Sequence, residues 1–441
     1  MTSPNPEVFA VSDRARRRIN QRIMPYLMLL FMIAYLDRVN VGYAALEMTR
    51  ALGFAPEVYG FGAGIFFLGY FLLEIPGSVL VERWSARGWI ARIMISWGIL
   101  AMLTGFIHNA SQFFWVRFLL GAAEAGFFPG IIVYLSHWFR YEDRAKAVAM
   151  FMAAIPISNI LGAPLSGWLL GINWLGMEGW RWLFILEGAP SVILGVVTIF
   201  YLTDWPHQAR WLPEDERQWL TGELEKEKEA KKAAGPHRVW QALRHREVIQ
   251  LAVAYFFIVT SVYGFNFWMP TILKSITGVS NFTVTLIAAV PYCAALAAML
   301  VVGWSSDRTR ERRWHTALCM LAVTAGLWLS LAMRGNVVLE IAMFCVAAAG
   351  MYGYLPGFWA LPTSFLAGTA AAASVGMINS IGNLGGFLGP YIVGYVNGKT
   401  KSFYGGVVFL GLSAMIAAAL ILSLRAAGRD PMSASGGKGT P

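Results

Sequence analysis

Tyr35-Leu36-Asp37-Arg38-Val39-Asn40 sets an acid, a base and an amide inside an apolar run from about Ile23 to Leu46. A run of that length crosses a bilayer as a helix. Either charge costs at least about 2.5 kcal/mol in hydrocarbon, so an intramembrane ionisable pair reads as functional. The alternative is a mutually neutralised pair that only locks helices together. Adjacent helical residues point about 100° apart and cannot simply face each other, which disfavours it.

Outward from this stretch, the chain is 57% hydrophobic and 14% charged over 441 residues. No soluble globular chain of this size needs so much apolar sequence. Twelve apolar stretches of spanning length lie near 23–46, 57–81, 89–108, 112–138, 146–170, 181–203, 248–272, 282–304, 314–333, 337–362, 372–396 and 404–425. The predicted fold class is an all-α polytopic membrane protein with twelve transmembrane helices in two six-helix pseudo-repeat bundles. Expected divisions are a tail at 1–22, bundles at 23–204 and 247–426, a polar linker at 205–246 and a second tail at 427–441.

The net charge of +10 could suggest nucleic acid, but its placement argues otherwise. Of 35 Lys and Arg, about 27 fall on one side of the membrane if the spans alternate. By the positive-inside rule both termini and the linker are expected in the cytoplasm. The basic N-terminus imitates a signal peptide, but the apolar run is too long and lacks a cleavage site, so it reads as a retained first helix. Cys293, Cys319 and Cys345 are widely spaced within spans and read as packing residues. The linker run from Glu223 to Lys232 reads as a solvated helix tethering the halves.

The halves resemble each other. Glu82-Arg83 recurs as Asp307-Arg308 and Pro164 as Pro390, at nearly one displacement. Gly303-Trp304-Ser305-Ser306-Asp307-Arg308, followed by Arg312-Arg313, resembles the loop motif of the major facilitator superfamily. Glu82, Arg83, Asp307 and Arg308 are therefore expected to pair with the neighbouring bundle and hold one conformation shut. Gly60, Gly64, Gly382, Gly385, Gly386 and Gly389 form small-xxx-small pairs that read as close helix packing. Gly350, Gly353, Pro356 and Gly357 are expected to loosen the tenth span.

The fourth span contributes Arg117 and Glu124, seven residues apart and so on one face, about 10 Å apart along the axis. Depth counting places Asp37, Arg38 and Arg117 in one layer about 8–9 Å below the outer face, with Glu124 beneath. Two guanidiniums and two carboxylates would make a balanced cluster. Arginine stays charged and offers a planar fork that matches a carboxylate. A substrate anion could displace an internal carboxylate, which would then take a proton. In the second half Tyr263, Asn266, Trp359, Asn379 and Asn383 offer polar groups for hydroxyls or a ring, Asn379 above Asn383. Interhelical hydrogen bonding is the competing reading for each.

Leu36-Asp37-Arg38-Val39-Asn40, Arg117 through Gly130 and Gly179 through Gly188 are similar to the anion:cation symporter family within that superfamily. Tyr201-Leu202-Thr203-Asp204-Trp205-Pro206 most resembles its bacterial tartrate-transporter-like branch. The resemblance implies proton-coupled transport of a small organic anion such as tartrate, phthalate or a sugar acid. It makes Asp37 and Glu124 proton-titrating sites, Arg38 and Arg117 anion contacts, and Tyr70, Trp359 and Asn379 cavity-lining positions. Glu74-Ile75-Pro76-Gly77-Ser78 departs from the branch's Glu-Ile-Pro-Ser-Asn and lacks its amide. Expected partners are the anion, protons and the lipid bilayer, with no nucleic acid, no cofactor and no metal; a functional monomer in the bacterial inner membrane is expected. Organic-anion exchange, uniport and non-transporting anion sensing are the alternatives. No hydrolase or metal motif supports an enzyme.

Overall fold

The computed structural model describes residues 6–83, 85–233, 244–362 and 368–424. Helices account for nearly all of it, as they must where no water satisfies backbone N–H and C=O groups. In chain order these are α1 Pro6–Ala51, α2 Pro56–Arg83, α3 Ala86–Thr104, α4 Ala110–Glu124, α5 Phe127–Trp138, α6 Tyr141–Met152, α7 Ala154–Leu170 and α8 Gly179–Tyr201. After α9 Glu214–Ala233 follow α10 Arg246–Thr277, α11 Asn281–Thr309, α12 Arg313–Ala332, α13 Val337–Gly353, α14 Leu355–Ala360, α15 Gly368–Asn383, α16 Gly385–Thr400 and α17 Tyr404–Leu422. Among the described residues eleven stretches are long and apolar enough to cross a membrane. The remaining predicted span, 372–396, is α15 and α16 meeting at Leu384.

Four spans are interrupted, and two interruptions have a clear cause. Between α4 and α5, Gly126 takes φ +86°, a conformation that favours glycine. Between α13 and α14 the chain turns at Tyr354, where Gly353 and Pro356 weaken the helix as expected. The other two fall at Ala153 and Leu384.

Packing repeats with a shift of six spans. The α3–α8 contact recurs as α12–α17, α2–α4 as α11–α13, and α1–α8 as α10–α17. Between the halves, α2 packs on α16 and α7 on α11, and the same shift exchanges those two pairs. Duplicated halves facing each other across a pseudo-twofold axis give this pattern.

The halves are joined tightly at the end where α1 finishes and α2 begins. A Cβ on Gly60 would lie 2.5 Å from the Pro390 carbonyl, and one on Gly64 2.7 Å from that of Phe387. The Tyr59 hydroxyl donates to the Phe267 carbonyl at 2.9 Å, and the Asn281 amide to Glu47 at 2.9 Å. The glycine pairs therefore work as close-packing surfaces.

The opposite end carries the charges. α1 begins at Pro6, so the arginine-rich segment is helical, and it is clamped to α9 and α6. Arg14 donates to Asp215 at 2.7 Å, Arg18 to the buried Glu216 at 3.0 Å, and Arg16 to Glu142 at 2.6 Å. Arg144 reaches Glu227 at 3.0 Å. The described part of the linker is the expected helix with exposed charges on one side, and it is in addition docked on the first half. The loop motif differs. Asp307 pairs within its own loop with Arg312 at 2.6 Å, and Arg308 stands over the Trp304 ring. The side chains of Glu82 and Arg83 lie outside the described residues.

Gly121 on α4 sets the α2 contact: an added Cβ would sit 1.8 Å from the Phe66 carbonyl. Gly121→Ala is expected to cost about 1–3 kcal/mol through overpacking, seen as a lower melting temperature of the purified protein. Gly376→Ala, with nothing within 4 Å, should leave it unchanged.

Candidate functional site

A cavity lies between the halves, lined from the first half by Phe31, Tyr35, Arg38 and Tyr70 among others. The second half supplies Tyr255, Tyr263, Tyr352, Trp359, Asn379 and Asn383. The helical period of α1 sorts its polar side chains. Tyr35 and Arg38, three apart, face the cavity, while Asp37 and Asn40, also three apart, turn toward α8.

Arg38 is the cation of the cavity. Its Nη2 donates to the Glu124 carboxylate in a short contact, and its Nη1 donates to the Tyr263 hydroxyl of the other half at 3.0 Å. The guanidinium stands 5.6 Å from the rings of Phe66 and Tyr70 and 5.8 Å from Tyr35, within cation–π range. Glu124 is the last residue of α4, fully buried, with Oε2 unpartnered. Truncating one member of such a pair typically costs about 3–5 kcal/mol. An incoming carboxylate can replace Glu124 at Arg38 without leaving that charge unanswered.

The expected four-membered cluster does not form. Asp37 Oδ2 accepts from Ser191 on α8 at 2.7 Å, and its Oδ1 has no partner. Arg117 is fully buried over the Phe66 ring, 5.1 Å away, and donates only weakly, at 3.4 Å, to the Ala63 carbonyl. Its Nε and Nη1 are unpartnered, and it does not line the cavity. The cause lies in α4: Gly121, one turn on from Arg117, draws that face against α2.

In the second half Tyr263, Trp359, Asn379 and Asn383 reach the cavity wall, as does Tyr70 from the first. Asn266 does not. Its Nδ2 donates to the Tyr352 hydroxyl at 3.0 Å and its Oδ1 accepts from Tyr292 at 3.1 Å, so it is interhelical glue. Trp359 stands edge-on to Tyr255, with its Nε1 unpartnered.

Two acids escaped the sequence reading of the site. Glu74 on α2 joins the halves, accepting from the Asn379 amide in a short contact and from Ser380 at 2.8 Å. The segment lacking its usual amide thus makes its inter-helix contact through the carboxylate. Glu187 on α8 accepts from Ser166 at 2.8 Å. In both cases the available signal was a lone acid within an apolar span. Glu74→Ala would leave two inward-facing donors without an acceptor, at about 1–3 kcal/mol each. A melting-temperature drop well beyond that of Glu57→Ala is the expected result.

Comparison with known proteins follows this geometry. The family model described as Major Facilitator Superfamily matches residues 27–390. An Agrobacterium vitis protein named "Putative tartrate transporter" is 46% identical over 415 residues, covering 94% of this chain and 95% of that one. The "Inner membrane transport protein RhmT" of Escherichia coli K12 is 37% identical over 418 residues, covering 94% and 96%. Among solved structures, a bacterial homologue of the human lysosomal transporter Spinster, inward-facing and unoccupied, superposes with a TM-score of 0.72 at 16% identity. That likeness spans 95% of this chain and 98% of the other, and it speaks for the fold. This chain belongs to the Major Facilitator Superfamily: it is a multi-pass membrane transporter and not an enzyme.

Proposed function

We propose that the protein imports a small organic anion together with a proton, by exposing the central cavity to each side of the membrane in turn. The observation that carries this reading is the Arg38–Glu124 pair at the cavity wall. A guest carboxylate competes with Glu124 for the guanidinium fork. Once displaced, Glu124 sits buried without a counter-charge and is neutralised by a proton. Anion and proton then cross together, and the first half carries the same net charge loaded as empty. A reversible exchange of one ion pair for another is the coupling step.

The names of the relatives support an organic acid, tartrate among them. Among the described residues one guanidinium, that of Arg38, reaches the cavity wall and fits one carboxylate head, and the tyrosines, Asn379 and Asn383 suit hydroxyls on the rest. With the arginine-rich end in the cytoplasm of a bacterial inner membrane, the closed seam at Gly60 and Pro390 faces outward. Arg117 lies on that outer side of Arg38. Parting the seam uncovers its free Nε and Nη1, which gives it the role of first anion contact in the outward-open state. The protein works as a monomer in this scheme. Anion exchange is the second reading, favoured by how closely Glu124 is paired to Arg38.

The test uses purified protein in liposomes, after thermal-shift screening of small carboxylates including tartrate to choose the cargo. Glu124→Gln is expected to retain counterflow while losing at least tenfold of the accumulation driven by an inward proton gradient. Exchange predicts no proton-driven accumulation even in the wild type. Arg38→Lys should weaken cargo affinity at least tenfold, because a point charge replaces a bidentate fork.

A further inference from the structure

The wall of the central cavity is mostly aromatic. Among the described residues, nine of the eighteen that line it are Phe, Tyr or Trp and six are aliphatic or Met, which leaves Arg38, Asn379 and Asn383. A site for a polyhydroxy dicarboxylate calls instead for many hydrogen-bonding side chains and a cation for each acid group. Phe31, Phe128 and Trp359 carry no hydroxyl, and those of Tyr35 and Tyr352 meet each other at 3.3 Å. Much of the wall is therefore ring, and rings pack on rings.

Behind this wall, toward the arginine-rich end, stands Glu74. It follows Tyr70 by one turn of α2, and the Tyr70 ring is 5.6 Å from the Arg38 guanidinium. The hydrogen-bond partners of Glu74 are neutral and all lie on α15. Asn379 donates in a short contact, Ser380 donates at 2.8 Å, and Asn383 joins from one turn further on. An ionised carboxylate only accepts, so both amides turn their nitrogens to Glu74. What they present to the cavity they line is then their carbonyl oxygens. The Trp359 indole N–H has no partner, but it is neutral and balances no charge. Arg117 does not line the cavity. A second carboxylate at this end would meet two acceptors and the charge of Glu74 with no cation to answer it. A hydroxyl or ring N–H would find an acceptor. One helical turn is about 5.4 Å, a gap that one six-membered ring bridges.

We propose that the cargo is an aromatic monocarboxylate with a hydroxyl or ring N–H opposite its carboxylate, and that Glu74, a positioning residue acting through Asn379 and Asn383, excludes acids with a second carboxylate there. Arg38 holds the carboxylate, the aromatic wall packs the ring, and an amide oxygen takes the far donor. This rests on the reading of the cavity as an anion site and narrows it: tartrate and other dicarboxylates are poor cargo.

The test measures binding to the purified full-length protein by calorimetry, with benzoate, 4-hydroxybenzoate, terephthalate and tartrate as probes. 4-Hydroxybenzoate is expected to bind at least about tenfold tighter than tartrate, and tighter by the same factor than terephthalate, which sets a carboxylate where the hydroxyl was. Glu74→Gln removes the charge but keeps an acceptor oxygen, and should shrink the terephthalate deficit at least about fivefold. Asn379→Leu should lower the preference for 4-hydroxybenzoate over benzoate by a similar factor, which covers a Glu74→Gln protein that fails to fold. These are ratios between ligands on one protein, which a loss of stability alone does not move. Terephthalate or tartrate binding as tightly as 4-hydroxybenzoate overturns the inference and leaves anion transport standing. So does failure of all four probes where another screened carboxylate binds, and so do ratios unchanged in the folded variants. Failure of every carboxylate removes the anion reading itself, and this inference with it.

Discussion

A guanidinium and a carboxylate meeting inside a low-dielectric bundle is the constraint to which the rest of this structure answers. Arg38 and Glu124 come from different helices and would each be costly alone in such surroundings. Their union fixes how α4 approaches α1, and the bond from Arg38 to Tyr263 extends that constraint to the other half. A pair of this kind is a poor source of net stability, since two apolar residues would pack as well. It is a good source of specificity, because only another anion of matching shape can substitute for one partner.

The first helix is the axis along which these demands are separated. One face of α1 carries Arg38 to the cavity, and the next carries Asp37 and Asn40 to α8. Charges adjacent in sequence thereby meet different neighbours, Ser191 for Asp37 and Glu124 with Tyr263 for Arg38. The helical rotation of about 100° per residue does this without any special backbone geometry.

Much of the architecture was legible in the sequence because hydropathy and helical length are local properties. The spans, the duplication seen in Pro164 and Pro390, and the weakening of the tenth span at Gly353 and Pro356 all required no knowledge of neighbours. The divergence of Asp37 and Arg38 was legible too. Depth along the axis, however, says nothing about which way a neighbouring helix is turned, so the supposed cluster with Arg117 dissolved. Gly121 on the same face of α4 held that clue, since a glycine one turn away marks where another backbone presses close. Glu74 and Glu187 were missed for a related reason. Their partners, Ser380 and Ser166, lie 306 and 21 residues away and carry no charge to mark them. The linker run is helical with exposed charges as expected, but its docking was not legible because its acids find their arginines on α1 and α6, a match that only the folded chain brings together.

Part of the joint between the halves is bare backbone. At Gly60, Gly64 and Gly394 each glycine faces a carbonyl oxygen, of Pro390, Phe387 and Pro56 respectively. Phe61 of α2 stands edge-on to Phe387 and Tyr391 of α16, so rings flank these backbone approaches. What the gap would bare at the three glycines is oxygen beside that aromatic strip. Water can wet those oxygens as it enters, whereas lipid tails gain nothing from them.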